Sequence, residues 1–227
     1  MNLSQSLGEY IFFCTTGGTV KKPALSEFDN VRRSGLIACK IREGEQLEWT
    51  KISSGEDEVF IVTRDGKSIR FPEADVRSMG RSAAGVRGIK LKGDDQVVEM
   101  DLLQTEDAKL LVVMENGLGK MTDVKQYRGQ SRGGSGVKVA NVTAKTGKIA
   151  GARVIINGDT GDLLLVSKGG QTIRTPLADI KTAGRATQGV ILMRSTKGDI
   201  VSSISLLLES EEEEGDEDQP KLIEEKK

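Results

Sequence analysis

The 227-residue sequence contains no histidine. That absence removes His-based catalytic triads, imidazole general bases and every His-ligated metal site. Two cysteines, Cys14 and Cys39, are too few for a zinc cluster or a disulfide framework, and they point to a reducing cytoplasm. Aromatic residues are scarce, at five Phe, two Tyr and one Trp, which argues against base-stacking platforms for single-stranded nucleic acid. The longest unbroken apolar runs, Tyr10–Cys14 and Leu110–Met114, fall far short of the roughly 20 residues a membrane helix needs. No charged n-region with an apolar core and cleavage site opens the chain, so no signal peptide is expected.

Charge is abundant but segregated. The net charge of −1 comes from 33 Lys and Arg against 34 Asp and Glu. Residues 209–227 hold 10 acids and three lysines, a net of −7, while the other 208 residues carry 30 bases and 24 acids, a net of +6. A run this acidic cannot bury enough apolar surface to offset its ordering entropy and reads as a disordered tail. Its two readings are a solubilising terminus and an anion that competes with DNA for the basic body.

Self-similarity organises that body. An apolar run followed four residues later by a turn glycine recurs at Cys14→Gly18, Val62→Gly66, Val113→Gly117 and Val166→Gly170. A second glycine follows at Gly35, Gly85, Gly136 and Gly189, and a third at Gly44, Gly93, Gly147 and Gly198. Three turn marks in each period of 48 to 53 residues separate about four strand-length segments. The segments Val59–Val62, Leu110–Met114 and Leu163–Val166 are short apolar runs bounded by Gly and Asp, and no stretch keeps a helical period. The pattern predicts an all-β, propeller-like array of about four four-stranded blades with the acidic tail outside it. The expected boundaries are 8–55, 56–106, 107–158 and 159–208, with the tail at 209–227. Whether four blades close into a ring or form an open arc is left undecided by the sequence.

Basic residues recur in register with the glycines. Eight residues before the second glycine lie Arg77, Arg128 and Lys181, and four before it lie Arg81, Arg132 and Arg185. The shorter loop of the first repeat supplies Arg32 and Arg33. Four after the first glycine come Lys22, beside Lys21, then Arg70 and Arg174, while the third repeat shifts its charge to Lys120. Five after the second glycine come Lys40, Lys90 and Arg194. Repetition copies such positions onto every blade, so they predict a basic rim, the footprint of a long polyanion lying along the outside. The competing reading of each base is a solubilising or edge-protecting charge.

At this level of detail the repeats resemble the C-terminal DNA-wrapping domain of DNA gyrase A, with the equivalent topoisomerase IV domain as a relative. The resemblance rests on Gly18-Thr-Val-Lys-Lys-Pro-Ala-Leu-Ser-Glu-Phe28, Arg77-Ser-Met-Gly-Arg81 with Gly85-Val-Arg-Gly-Ile89, Asn116-Gly-Leu-Gly-Lys120 and Gly184-Arg-Ala-Thr-Gln-Gly-Val-Ile-Leu-Met193. It implies a β-pinwheel fold and duplex DNA bound on a positively charged outer edge, largely independent of sequence. It further implies, as partners, a breakage–reunion domain and an ATPase subunit in a supercoiling holoenzyme. The family's box, Gln-Arg/Lys-Arg-Gly-Gly-Arg/Lys-Gly, is matched at Gln130, Arg132, Gly133, Gly134 and Gly136, with Ser131 and Ser135 replacing two bases. By resemblance, the box glycines let backbone N–H groups cradle a phosphate. The box stands in the third repeat here and in the first repeat of the family. The four repeats therefore align with the later ones, and the first repeats are expected to be missing.

No catalytic apparatus is legible. Tyr10 and Tyr127 lie in blade segments, not in the context of the family's separate catalytic domain. The acidic clusters Glu56-Asp57-Glu58 and Asp94-Asp95 read as solvated turns, and Gly117-Leu-Gly-Lys120 lacks the spacing of a nucleotide-binding loop. No cofactor, metal or small-molecule substrate is expected, and the expected location is the cytoplasm, at the nucleoid. Two rivals stand beside the DNA-wrapping module: a propeller used as a protein-interaction scaffold, and an enzyme built on a propeller.

Overall fold

The computed structural model describes residues 8–31, 33–196 and 198–208. Arg32 and the acidic tail at 209–227 lie outside these residues. Each repeat opens with a hairpin that the turn glycine closes. In the first repeat β1 (Tyr10–Thr15) pairs antiparallel with β2 (Thr19–Lys21) and, on its other side, with β3 (Leu47–Ser53). The turn glycines Gly18, Gly66, Gly117 and Gly170 all take φ between 76° and 85°. An L side chain rarely adopts that backbone, so glycine is the low-cost residue there.

The second repeat contributes β4 (Glu58–Thr63), β5 (Lys67–Pro72) and β7 (Val97–Leu103), and the short β6 (Val86–Arg87) between them. The third contributes β8 (Ala108–Met114), β9 (Leu118–Asp123), β10 (Val137–Lys138) and β11 (Ile149–Ile156). The fourth contributes β12 (Gly161–Ser167), β13 (Thr172–Pro176), β14 (Val190–Ile191) and β15 (Val201–Leu208). A register shift recurs where the central strand meets the outer one, at Cys14/Thr15, Val62/Thr63 and Val166/Ser167. Such bulges bend and twist a strand.

In the first three blades the fourth strand comes from the following repeat. The sheets are ordered β3-β1-β2-β6, β10-β5-β4-β7 and β11-β8-β9-β14, so β6, β10 and β14 cross to the preceding blade. The sequence predicts four-stranded blades; among the described residues the last sheet has three strands, β13-β12-β15.

The core lies between blades. One cluster joins Phe12, Cys14 and Val20 to Val59, Ile61, Ile69 and Met100; the next joins Phe60 and Val62 to Leu110, Val112 and Tyr127. A third joins Leu111 and Val113 to Leu163, Leu165 and Ile204. In β4, Val59 and Ile61 serve one interface while Phe60 and Val62 serve the other. Burial on both faces is why β4 and β8 read as continuous apolar runs. In β12 the burial alternates, with Leu163 and Leu165 fully buried and Leu164 and Val166 partly exposed. Among the described residues, the fourth blade packs its core against the third.

Candidate nucleic-acid interface

The positions in basic register divide sharply by burial. Arg77, Arg128 and Lys181 each follow a short 310 turn, at Glu73–Asp75, Val124–Gln126 and Leu177–Asp179. Those turns place all three at one level of consecutive blades. All three are exposed and form no ion pair among the described residues. Arg33, Lys40, Lys90 and Arg194 are also exposed.

Arg81, Arg132 and Arg185 lie on the loops that lead into the crossing strands, and each is partly committed. Their Nη1 atoms donate to the carbonyls of Ile37 at 3.4 Å, Arg87 at 3.3 Å and Lys138 at 2.7 Å, each residue belonging to the preceding repeat. The backbone N–H of each of these arginines donates to a side chain in the 310 turn of the preceding repeat: Glu27 of the Leu25–Phe28 turn at 3.0 Å, Asp75 at 3.4 Å and Gln126 at 3.1 Å. A guanidinium has five N–H donors, so this clasp leaves donors free for a phosphate.

Lys21, Lys22, Arg70 and Lys120 are buried, contrary to the rim expected of their register. Lys22 Nζ lies 3.5 Å from Glu73 Oε1 and 4.8 Å from the centre of the Tyr10 ring. Lys21 Nζ donates to the Arg81 carbonyl. Arg70 pairs with Glu58 and Glu106 and donates to the carbonyls of Val124 and Tyr127. Lys120 Nζ donates to the carbonyls of Gly184 and Arg185, both at 2.7 Å, and to Thr187 Oγ1 at 3.2 Å. Burial, reinforced by the Arg185 charge, lowers the Lys120 pKa to about 8. A buried cation must be paired or bonded, and these four spend their donors inside the chain. Arg174, in the same register, is exposed but paired with Asp162.

The glycine-rich loop is also differently employed than expected. Gly133 N–H donates to the Gly88 carbonyl, and the Gly134 carbonyl accepts from Lys90 N–H at 2.8 Å. Gln130 N–H is taken by the Arg70 carbonyl, while its side-chain nitrogen is buried without a partner. A Cβ on Gly136 would stand 2.3 Å from the Ser68 carbonyl oxygen. Gly133, Gly134 and Gly136 thus let this loop press on the second repeat, and the Gly133 N–H is not free for a phosphate. Arg132 remains exposed at the loop's surface, donating through Nε to the Asp75 carbonyl at 2.9 Å.

Exposed bases also fall outside the register, among them Lys67, Arg87, Lys92 and Lys138. Arg87 and Lys138 ride on the crossing strands, and Lys138 pairs directly with Lys67 across the β10–β5 ladder. Like charges directly opposite on a sheet repel. Lys67, Lys90 and Lys92 line a small hollow with Ser135, Asp65 and Asp95. Ser135 stands where the resemblance places a base in the box, and lysines of the second repeat line the hollow beside it. The signal was present in the sequence, but only the strand crossing brings residues 67, 90, 92 and 135 together.

Comparison with known proteins agrees with this architecture. The model of the DNA gyrase C-terminal domain, beta-propeller, matches residues 9–54, 57–103, 109–156 and 161–207. The DNA gyrase A protein of Staphylococcus aureus strain MRSA252 is 39% identical over 223 residues, covering 97% of this chain and 25% of that protein. Its counterpart in strain COL is 40% identical over 218 residues, covering 95% of the chain and 24% of the relative. The chain therefore spans about a quarter of the length of the curated relatives it matches. A crystal structure of the C-terminal domain of DNA topoisomerase IV superposes with a TM-score of 0.83 at 26% identity, over 92% of this chain and 64% of that one. A DNA gyrase A C-terminal domain gives 0.76 at 25% identity, over 89% and 67% respectively. The chain belongs to the DNA gyrase C-terminal domain family.

Proposed function

We propose that the chain binds duplex DNA along its basic rim and bends it around the blades, as the non-catalytic wrapping module of a gyrase A-type subunit. The observation that carries this reading is the placement of Arg77, Arg128 and Lys181. They stand exposed at one position of three consecutive repeats, with no ion-pair partner among the described residues. The Lys67–Lys138 juxtaposition favours the same reading, because an approaching phosphate relieves a repulsion the fold otherwise bears.

The contact is electrostatic and independent of sequence. Each base facing a phosphate releases condensed counterions, and the sum offsets a bending cost of roughly 1–6 kcal/mol for a 40–90° bend. The repeats at 8–55, 56–106, 107–158 and 159–208 form the binding body, with residues 209–227 an anionic competitor. In a holoenzyme at the nucleoid, a breakage–reunion domain and an ATPase subunit would turn the wrapped segment into ATP-dependent supercoiling. A protein-interaction scaffold would leave the same bases unused by DNA.

Relaxed circular DNA closed by a ligase in the presence of the chain distinguishes wrapping from simple binding. A changed linking number after deproteinisation is expected, and unchanged topology at saturating protein would remove the wrapping claim. Truncation after Leu208 is expected to tighten binding to random-sequence duplex, and equal affinity would leave the tail only a solubilising role.

A further inference from the structure

We propose that the bound duplex is anchored at one joint of the array, between the second and third repeats, where Lys67, Lys90, Lys92 and Lys138 converge on its phosphates. The proposal rests on the duplex-DNA reading above and adds where along the rim the grip lies. Each joint is the contact between the hairpin of one repeat and the crossing strand of the next. At the second joint Lys67 of β5 directly faces Lys138 of β10. Lys90 N–H donates to the Gly134 carbonyl at 2.8 Å, and Lys67, Lys90 and Lys92 line a hollow of about 200 Å³ beside Ser135.

The four lysines are exposed, and none forms an ion pair among the described residues. Lys138 Nζ donates to the neutral Asn141 Oδ1 at 3.2 Å. Two carboxylates share the hollow. Asp65 pairs with Lys148 at 3.0 Å. Asp95 is buried, and its Oδ1 accepts from the N–H groups of Asp65 and Gln96, both at 2.9 Å. Three lysines therefore face one carboxylate, Asp95, that has no cationic partner among the described residues. A recess lined by an excess of one charge focuses its potential, and a lysine meets a phosphate as a point charge.

The third joint keeps the backbone of the second and loses its charge. Asn141 N–H donates to the Thr187 carbonyl at 3.1 Å, as Lys90 N–H does to that of Gly134, so the two joints correspond position by position. Leu118 faces Ile191 where Lys67 faces Lys138. Asn141 and Thr143 stand where the second joint has Lys90 and Lys92, and Thr143 Oγ1 accepts from Gln188 Nε2 at 3.5 Å. Lys145 and Arg194 border this joint's pocket, but from the turn before β11 and the segment after β14. The first joint sets one base on its ladder, Arg87 opposite Thr19. Four bases thus meet at the second joint and none at the same four positions of the third, so a duplex crossing both is held at the second.

Anisotropy of a random-sequence duplex across a salt series, joined to photocrosslinking, tests the anchor. Lys67→Gln with Lys90→Gln and Lys92→Gln removes exposed charges, and the fold should persist by circular dichroism. The slope of log K against log salt should become shallower by about 0.9 for each lysine, or about 2.7 together. A photocrosslinker attached at Ser135→Cys, in a Cys39→Ser background, should capture the duplex several-fold more than the same group attached at Ile191→Cys. Absent or salt-insensitive binding by the wild-type chain would overturn the DNA reading and the anchor with it. Salt-dependent wild-type binding with an unchanged slope in the triple variant, or with equal capture from positions 135 and 191, would overturn the anchor alone.

Discussion

Replacing Arg77, Arg128 and Lys181 together with alanine tests the division between surface and buried bases. The three are exposed and without ion-pair partners among the described residues, so their removal should move stability by no more than about 0.5 kcal/mol. If each neutralises one phosphate, the slope of log K against log salt becomes shallower by about 0.9 per residue, or about 2.7 in all. Between 50 and 200 mM salt that difference amounts to a roughly 40-fold smaller loss of affinity in the variant. Fluorescence anisotropy with a random-sequence duplex, titrated at four or more salt concentrations, reads the slope directly. Lys22→Met is the contrasting variant. Its ammonium is buried against Glu73, so it should lower stability and leave the slope alone. An unchanged slope in the triple variant would refute the assignment of these bases to phosphate contact, and a shallower slope in Lys22→Met would refute the distinction by burial.

Glu73 accepts from Ser53 Oγ at 2.6 Å and from Gly55 and Asp57 N–H at 3.1 and 3.3 Å, and it pairs with Lys22. Glu73→Ala, read by urea denaturation, is expected to cost about 3–5 kcal/mol by stranding a buried cation. Gly136→Ala combines positive φ with a Cβ 2.3 Å from the Ser68 carbonyl oxygen; thermal melts should show a loss of roughly 2 kcal/mol or more. The Lys120 pKa lies near 8 when folded and 10.5 when free. In that window the unfolded state holds a proton the folded state has lost, so stability should rise with pH, by up to roughly 3 kcal/mol. The buried Cys14 thiol, whose pKa is raised by burial and by Glu45, acts in the opposite sense above its free value of 9.0 in wild type and variant alike. The difference between wild type and Lys120→Met, from denaturation at pH 7 to 10, isolates the lysine; a difference constant with pH would contradict the assignment.

The strands and the turn glycines were legible because each is a local pattern of about ten residues or fewer, and their recurrence along the chain made the repeat legible too. The crossing of β6, β10 and β14 was not, since nothing within Val86–Arg87 indicates that its partner lies in the preceding repeat. The same limit explains the site. Arg77 and Lys22 look alike as in-register bases, and only the placement of Glu73 and Tyr10 against Lys22 separates them. Conversely, Lys67 and Lys92 carry no register, and their meeting around Ser135 depends on the crossing.

Repetition copies structural and functional demands alike, so a base recurring in a repeat protein is ambiguous until its depth is known. The joints carry a further consequence. The arginines that clasp the crossing strands, Arg81, Arg132 and Arg185, belong to one repeat and hold carbonyls of the repeat before it. They stand beside exposed bases at Arg77, Arg128 and Lys181. A duplex lying on these bases would span successive joints rather than successive blade centres. Since stability in such arrays is a sum of repeat and interface terms, a ligand bridging the interfaces stabilises the part of the structure that no repeat can stabilise alone. On the proposed reading, the strand exchange and the rim are two aspects of one arrangement: the crossings of β6, β10 and β14 tie neighbouring blades and also space the exposed bases Arg77, Arg128 and Lys181.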